Sequence, residues 1–193
     1  RVCDVTDIES LRKNLNSNCL INLAAVHRDD VQPKSLYDDV NVNGARNICT
    51  IAREKSITKI IFVSSVAVYG DSGPVKDESA PKEYFNEYGR TKNEAEHVFK
   101  EWFKEDESRS LIIIRPTVIF GPGNRGNIYN LLNQINSKKF LMIGDGKNVK
   151  SICYVKNVAA FIAHCVGLNN GMYIFNYIDK PDFNMKELVS LTQ

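Results

Sequence analysis

The sequence predicts an α/β fold: a doubly wound parallel sheet of the Rossmann type, covered on both faces by helices. Three observations lead there. Short runs rich in Ile, Val and Leu alternate with longer segments of helical periodicity. The runs are apolar throughout, as strands buried on both faces are. They end in Ala24-Ala25, Ser64-Ser65 and Arg115-Pro116-Thr117, small or hydroxylated residues at the carboxyl ends of strands, where open α/β sheets bind ligands.

Each element has a local reason. Asp7 to Leu15 reads as a short helix, capped by Thr6 or Asp7 and acidic in its first turn. Cys19 to Ala25 is a short apolar run and a buried strand. Ser35 to Lys55 is one long helix, with Leu36, Val40, Ala45, Ile48 and Ala52 at helical spacing. Lys59 to Val66 is a β-branched strand ending in hydroxyls. Tyr69 to Tyr84 carries Gly70, Gly73, Pro74 and Pro81 and reads as a loop. Asn86 to Lys104 is a helix whose apolar face is Ala95, Val98, Phe99, Trp102 and Phe103. Ser110 to Arg115 is a third buried strand, and Pro116 to Gly126, with its GPGNRG run, a loop. A helix over Ile128 to Ile135, a strand over Phe140 to Ile143 and a turn at Gly144-Asp145-Gly146 follow. The chain closes with a helix over Val155 to Val166, a strand over Met172 to Asn176 and a helix over Asn184 to Leu191.

Composition narrows the function. The 193 residues are 43% hydrophobic and 25% charged, enough apolar material for a real core. The formal charge is +2, with no basic block, so neither a nucleic acid nor a membrane is expected as partner. No apolar run approaches the roughly 20 residues of a membrane span, and no secretory signal opens the chain. Cys3, Cys19, Cys49, Cys153 and Cys165 are odd in number and widely spaced. They suit a reducing cytoplasm and apolar filling rather than disulfides or a metal site.

The sharpest chemical signal is Tyr88-Gly89-Arg90-Thr91-Lys92. Four residues apart on a helix, Tyr88 and Lys92 share a face. A phenol is a weak base at neutral pH, and a neighbouring ammonium favours the phenolate. The pair can then take a proton from an alcohol. Ser64 and Ser65, at a strand end, add hydroxyls that can hold a ligand oxygen or cap the backbone. Arg125 and Asn127, in a Gly-rich loop before a helix, suit a diphosphate. His27 could face a ligand from the loop after Ala25, whereas His97 and His164 read as helix packing or solvent residues.

These segments resemble a known family. Ser64-Ser65-Val66-Ala67-Val68-Tyr69-Gly70, Tyr88-Gly89-Arg90-Thr91-Lys92 and Arg115-Pro116-Thr117-Val118-Ile119-Phe120-Gly121-Pro122-Gly123 are similar to the extended short-chain dehydrogenase/reductases. The nearer likeness is to their NAD-dependent nucleotide-sugar epimerase/dehydratase branch, of which UDP-glucose 4-epimerases are typical. Asn22-Leu23-Ala24-Ala25, Asn41-Val42-Asn43-Gly44 and Tyr154-Val155-Lys156-Asn157-Val158-Ala159 continue the likeness in order along the chain. The resemblance implies Tyr88 as acid/base, Lys92 as ribose ligand and modulator of Tyr88, and Ser65 on the reacting sugar hydroxyl. It implies cofactor contacts from Asp4, Val5, Leu23, Ala24, Ala25, Val40, Ser64, Pro116 and Thr117, beside Tyr88 and Lys92. Substrate contacts fall to Ser65, Val118, Arg125, Asn127 and Lys150, and no metal is implied. The implied reaction is epimerisation at C4 of a UDP-hexose or UDP-N-acetylhexosamine through a 4-keto intermediate, in polysaccharide formation, by a homodimer when full length. The dimer would pair the Ser35–Lys55 helix and the Tyr88 helix.

Departures from the family pattern refine this. Val66 and Ala67 replace the Asp-Glu pair with which dehydratases eliminate water, and Ala67 also replaces the Cys of fucose-synthase-type enzymes. Lys150 stands where the family has a diphosphate-binding Arg, keeping the charge without the bidentate fork. Val118 replaces a frequent substrate Asn, and Val40 a frequent polar cofactor contact. Against the family's pattern the chain reads as an internal fragment, without the first strands and the Gly-rich turn and with only the start of a small C-terminal substrate-binding region. Residues 1–120 are then a partial NAD(P)-binding domain, and 121–193 a substrate-binding region interleaved with late Rossmann elements. The residue that selects NAD over NADP lies on a missing strand, so NAD is expected and NADP stays open. Two alternatives stand beside the epimerase: a 4-keto-sugar reductase with the same Ser/Tyr/Lys set, and a non-catalytic dinucleotide-sensing or interaction protein.

Overall fold

The computed structural model describes residues 3–28, 30–70 and 75–192. The chain forms two compact units. The first comprises Arg1–Arg115 with His164–Asn176, the second Pro116–Ala163 with Tyr177–Gln193.

The first unit is built on a sheet of strands β1 (Cys19–Asn22), β2 (Lys59–Val63), β3 (Ser110–Pro116) and β7 (Met172–Tyr177, its last residue in the second unit), in the order β1-β2-β3-β7. β1 and β2 are parallel with Leu20 opposite Ile60, and β2 and β3 are parallel with Ile60 opposite Leu111. Ile60, Ile61, Phe62 and every residue from Leu111 to Ile114 are at most 1% exposed, so both faces of the central strands are covered. One face belongs to the main core. Ile60, Phe62, Leu111 and Ile113 meet Ile48, Ile51 and Ala52 of helix α3 (Gly44–Glu54) and Ala95, Phe99 and Trp102 of helix α4 (Glu87–Lys104). Helix α1 (Ile8–Asn14) adds Leu11, and Asp7 caps it by accepting from Glu9 N and Ser10 N.

Three sequence expectations are corrected here. The run Cys19–Ala25 is strand only to Asn22, because the Asn22 side chain accepts from Ala24 N at 3.0 Å and turns the chain out of the sheet. The single helix over Ser35–Lys55 is three pieces: α2 (Ser35–Tyr37), a wide π-helical stretch at Asp38–Asn43, and α3. The extra residue per turn gives Asn41 a buried polar role described below. The strand expected over Lys59–Val66 ends at Val63, and Ser65 caps a 3₁₀ turn at Val66–Tyr69, its hydroxyl accepting from Ala67 N at 3.2 Å. After α4, the exposed Glu105 accepts from Arg53 and Arg109, which hold its carboxyl down at about 2. Of the loop expected over Tyr69–Tyr84, residues 71–74 lie outside the described residues.

The second unit holds β4 (Val118–Phe120) parallel to β6 (Ile152–Tyr154), and β5 (Val149–Lys150) antiparallel to β8 (Phe183–Asn184). Helices α5 (Asn127–Asn136), α6 (Val155–Val166, its last three residues in the first unit) and α7 (Met185–Thr192) complete the list. Ile135, Met185 and Leu188 form a small core, joined by Leu131, Leu132, Phe140, Phe183 and Val189. α7 begins with a capping box: Asn184 accepts from Glu187 N, and Glu187 accepts from Asn184 N, both at 2.9 Å. Two further expectations are corrected. The Pro116–Gly126 loop contains β4, whose pairing with β6 no local pattern signals. Phe140–Ile143 is not a strand; no ladder pairs it, and Leu141 and Ile143 are 82% and 91% exposed.

Candidate active site

The site of the first unit is built where β2 meets the start of α4. Ser64 continues the strand by one bond, donating its N–H to Ile114 O at 2.7 Å. Ser65 follows as the cap of the 3₁₀ turn. Opposite, Asn86 caps α4 by accepting from Gly89 N at 2.8 Å. Gly89 matters sterically: a Cβ there would lie 2.5 Å from Ala67 O, so only glycine lets the helix settle this closely on the turn. Tyr88 is thereby carried next to Ser65. Burial raises the Tyr88 phenol above its ordinary value, and the Ser65 hydroxyl partly offsets this.

Lys92 lies one turn further along α4 and is 1% exposed. Its ammonium donates to Val63 O at 2.6 Å and sits 4.3 Å from the centre of the Phe62 ring. The lowering of Tyr88 by Lys92 expected from the sequence is therefore not what the structure shows; burial dominates the phenol. Burial also pulls the Lys92 ammonium down to about 7, Glu96 partly opposing it. A folded-state value below the unfolded one means the buried charge costs stability at neutral and lower pH. That cost is relieved as pH rises from about 7 towards 10.5. Lys92→Met is therefore expected to raise stability at pH 6 by about 1–3 kcal/mol. The gap to wild type should narrow by pH 9 in urea unfolding. A gap of the same size at both pH values would contradict the argument.

Behind this pair lies a buried ion network. Glu96, fully buried one turn beyond Lys92, receives both arms of the Arg115 guanidinium, at 2.8 and 2.6 Å. It also accepts from the Ser64 hydroxyl at 2.7 Å. Arg115 donates further to the Tyr69 hydroxyl and to Glu78 O, and Tyr69 donates to Asn176 Oδ1 at 2.8 Å. Burial pushes the Glu96 carboxyl up, but Arg115 and Ser64 outweigh it, and the net shift is downward. Neither Glu96 nor the pairing role of Arg115 is read from the sequence. A Glu four residues after the Lys on an otherwise apolar helix face was the available signal.

Asn41 was also missed as a working residue. It accepts from Val26 N at 2.8 Å and donates to Val26 O at 3.0 Å and Thr91 Oγ1 at 2.9 Å. It thus ties the loop after β1 to α4, next to Lys92. Leu23, 63% exposed, and Ala24 and Ala25 run along that loop. Asp4 is exposed and closes a turn by accepting from Thr6 N and Oγ1, which lower its carboxyl. Val5 packs on Gly44, where a Cβ would stand 2.8 Å from the Val5 Cγ2, and its carbonyl accepts from Asn47 at 3.0 Å. Val40 lies half-buried in the π-helical stretch. His27, His97 and His164 are exposed.

The structure thus gathers Ser64, Ser65, Tyr88 and Lys92 at one place in the first unit, with the Leu23–Ala25 loop tied to the same helix. Pro116, Thr117, Val118, Arg125, Asn127 and Lys150 belong to the second unit. Pro116 is buried, and the Thr117 hydroxyl oxygen is buried without a hydrogen-bond partner. Asn127 and Lys150 line one cavity of about 350 Å³, whereas Val118 and Arg125 are exposed away from its lining. Among the described residues no cluster of side chains could hold a metal ion, and no helix is long and apolar enough to cross a membrane.

Residues 1–173 match the NAD dependent epimerase/dehydratase family. The chain belongs to that family. Among curated relatives it is 49% identical, over 98% of its length, to an N-acetyl-α-D-glucosaminyl-diphospho-ditrans,octacis-undecaprenol 4-epimerase of Escherichia coli O157:H7. It is 29% identical, over 95% of its length, to a UDP-glucose 4-epimerase of Vibrio cholerae. It spans 58% of the length of each. Among solved structures, a UDP-glucuronic acid 4-epimerase from Bacillus cereus in complex with NAD superposes with a TM-score of 0.81 at 21% identity, covering 98% of this chain and 63% of that one. The last likeness bears on the fold, and the doubly wound sheet agrees with it.

The residues present fit the family's cofactor at its nicotinamide end. A buried ammonium, a phenol and a serine stand together in the first unit. Tyr88, Lys92 and the Leu23–Ala25 loop would hold that end in the first unit.

Proposed function

We propose that the protein of which this chain is part epimerises C4 of an N-acetylhexosamine carried on a diphosphate, with NAD as resident cofactor. The observation that carries the reading is the placement of Ser65 beside Tyr88, with Lys92 on the same helix face. NAD, when bound, supplies the acceptor and donor for the C4 hydride. The chain's own part is proton handling and orientation. Tyr88 takes the proton of the sugar O4 hydroxyl and later gives it back. Ser65, held by its cap on the 3₁₀ turn, fixes the sugar oxygen against the phenol. Lys92, buried one turn further along the same helix, would hold the cofactor's ribose. Val66 and Ala67 offer no acid or base for eliminating water, which supports epimerisation over dehydration.

The carrier is chosen on two grounds. The 49% identical relative acts, by its name, on a sugar linked through diphosphate to undecaprenol. The diphosphate position holds Lys150, which suits a phosphate charge without the bidentate arginine fork. We therefore favour a polyprenol-linked sugar over a UDP-sugar. We place the reaction in the cytoplasm, in the making of polysaccharide precursors, by a homodimer formed through the Ser35–Lys55 segment and α4.

The test is to incubate the full-length protein with NAD+ and either N-acetylglucosamine-diphospho-polyprenol or UDP-N-acetylglucosamine, following C4 configuration by proton NMR. Interconversion of the prenyl-linked sugar without net reduction of NAD+ is expected. Turnover of the UDP-sugar alone would overturn the choice of carrier. Consumption of NADPH with a 4-keto sugar, and no epimerisation, would make the protein a reductase.

A further inference from the structure

Beyond Phe140, which joins its core, the second unit exposes an apolar run. Phe140-Leu141-Met142-Ile143 pairs with no strand, and Leu141, Met142 and Ile143 are 82%, 38% and 91% exposed. Isolated exposed apolar side chains need no explanation, but a contiguous exposed run marks an interaction surface. This run borders the cavity of about 350 Å³ that Lys150, Asn127 and Ile128 also line. That volume is in the range of small-molecule sites.

The surroundings are cationic. Lys138, Lys139, Lys147 and Lys150 fall within the segment around the run, against a single acid, Asp145, which pairs with Lys147 at 3.1 Å. The Gly144–Gly146 turn is tethered to the start of α7 by Lys186 N donating to Gly146 O and Met185 N to Asn148 O, so the apolar run has a fixed base. An apolar wall beside a lysine-rich rim complements an anion joined directly to a hydrocarbon.

We propose that this cavity is the carrier subsite, and that it takes a prenyl diphosphate: the diphosphate on Lys150, and the isoprene units next to it along Leu141 and Ile143. The proposal rests on the reading of a diphosphate-linked substrate above and names the residues that would distinguish a lipid carrier from a nucleotide.

The test measures binding by the full-length protein, so it does not depend on turnover. Farnesyl diphosphate, inorganic pyrophosphate and UDP are titrated calorimetrically into wild type, a Leu141→Asn/Ile143→Asn double variant and Lys150→Gln. Wild type is expected to bind farnesyl diphosphate at least about tenfold more tightly than pyrophosphate, from the apolar area buried. The double variant should lose that preference and keep its pyrophosphate affinity; both positions are exposed, and circular dichroism checks its fold. Lys150→Gln should weaken both ligands. Farnesyl diphosphate binding no better than pyrophosphate, or UDP binding more tightly than farnesyl diphosphate, would overturn the proposal. So would a double variant that keeps farnesyl preference and loses only co-sedimentation with anionic vesicles, which would make the run a bilayer contact. Absence of epimerisation with intact farnesyl preference would instead sink the catalytic reading and leave this subsite standing.

Discussion

Replacing Tyr88 by Phe in the full-length protein is expected to lower epimerase turnover about a thousandfold, within the range for removing a positioned acid/base. Substrate affinity should change little. The ring stays, and its packing against the turn at Val66–Tyr69 depends on Gly89 and the Asn86 cap rather than on the hydroxyl. Ser65 loses a neighbouring hydroxyl but keeps its bond from Ala67 N. Tyr88 sits above its ordinary value, and Lys92 is turned to Val63 O. The wild-type rate should therefore rise with pH through the alkaline range as phenolate becomes accessible, and Tyr88→Phe should flatten that limb. Steady-state kinetics between pH 6 and 10 would read both effects. A variant retaining a tenth of wild-type turnover would exclude Tyr88 as the proton carrier.

Glu96→Ala is expected to destabilise the protein by about 3–5 kcal/mol, because it strands a buried guanidinium. Arg115 is 1% exposed and spends two of its donors on the Glu96 carboxylate. The substitution also frees the Ser64 hydroxyl and removes the carboxylate that helps keep Lys92 charged. The Glu96 carboxyl is held below its unfolded value of 4.5. Its contribution is therefore fully present above that pH and lost as pH falls through the lower folded value. The difference between wild type and Glu96→Gln should accordingly shrink below pH 4.5. Urea titrations at pH 7 and pH 4 would show it, and a gap that stays constant would place the cost in packing rather than charge. A Glu96→Ala/Arg115→Met double variant should recover much of the loss, since no buried charge is left alone.

The strands Lys59–Val63 and Ser110–Pro116 were legible because every central position is apolar, which only a strand covered on both faces requires. α4 was legible to within one residue, since Asn86 caps it and its apolar stripe has helical spacing. The Tyr88–Lys92 spacing placed two side chains on one face for the same local reason. The partners of those side chains were not local. Ser65 reaches Tyr88, Glu96 reaches Arg115, and Asn41 reaches Val26 and Thr91 only after parallel pairing has set the strands in register. The same limit explains the misread Phe140–Ile143. Its residues favour a strand, but a strand needs a ladder, and in the second unit pairing went to β4 with β6 and β5 with β8. By itself, then, the sequence determined the fold class, the central strands and the helix that carries Tyr88 and Lys92, because propensity and periodicity act over a turn or a pleat. Tertiary structure alone decided which buried charges neutralise one another, which way Lys92 points and which apolar run is left exposed, because those depend on groups that chain folding brings together from far apart.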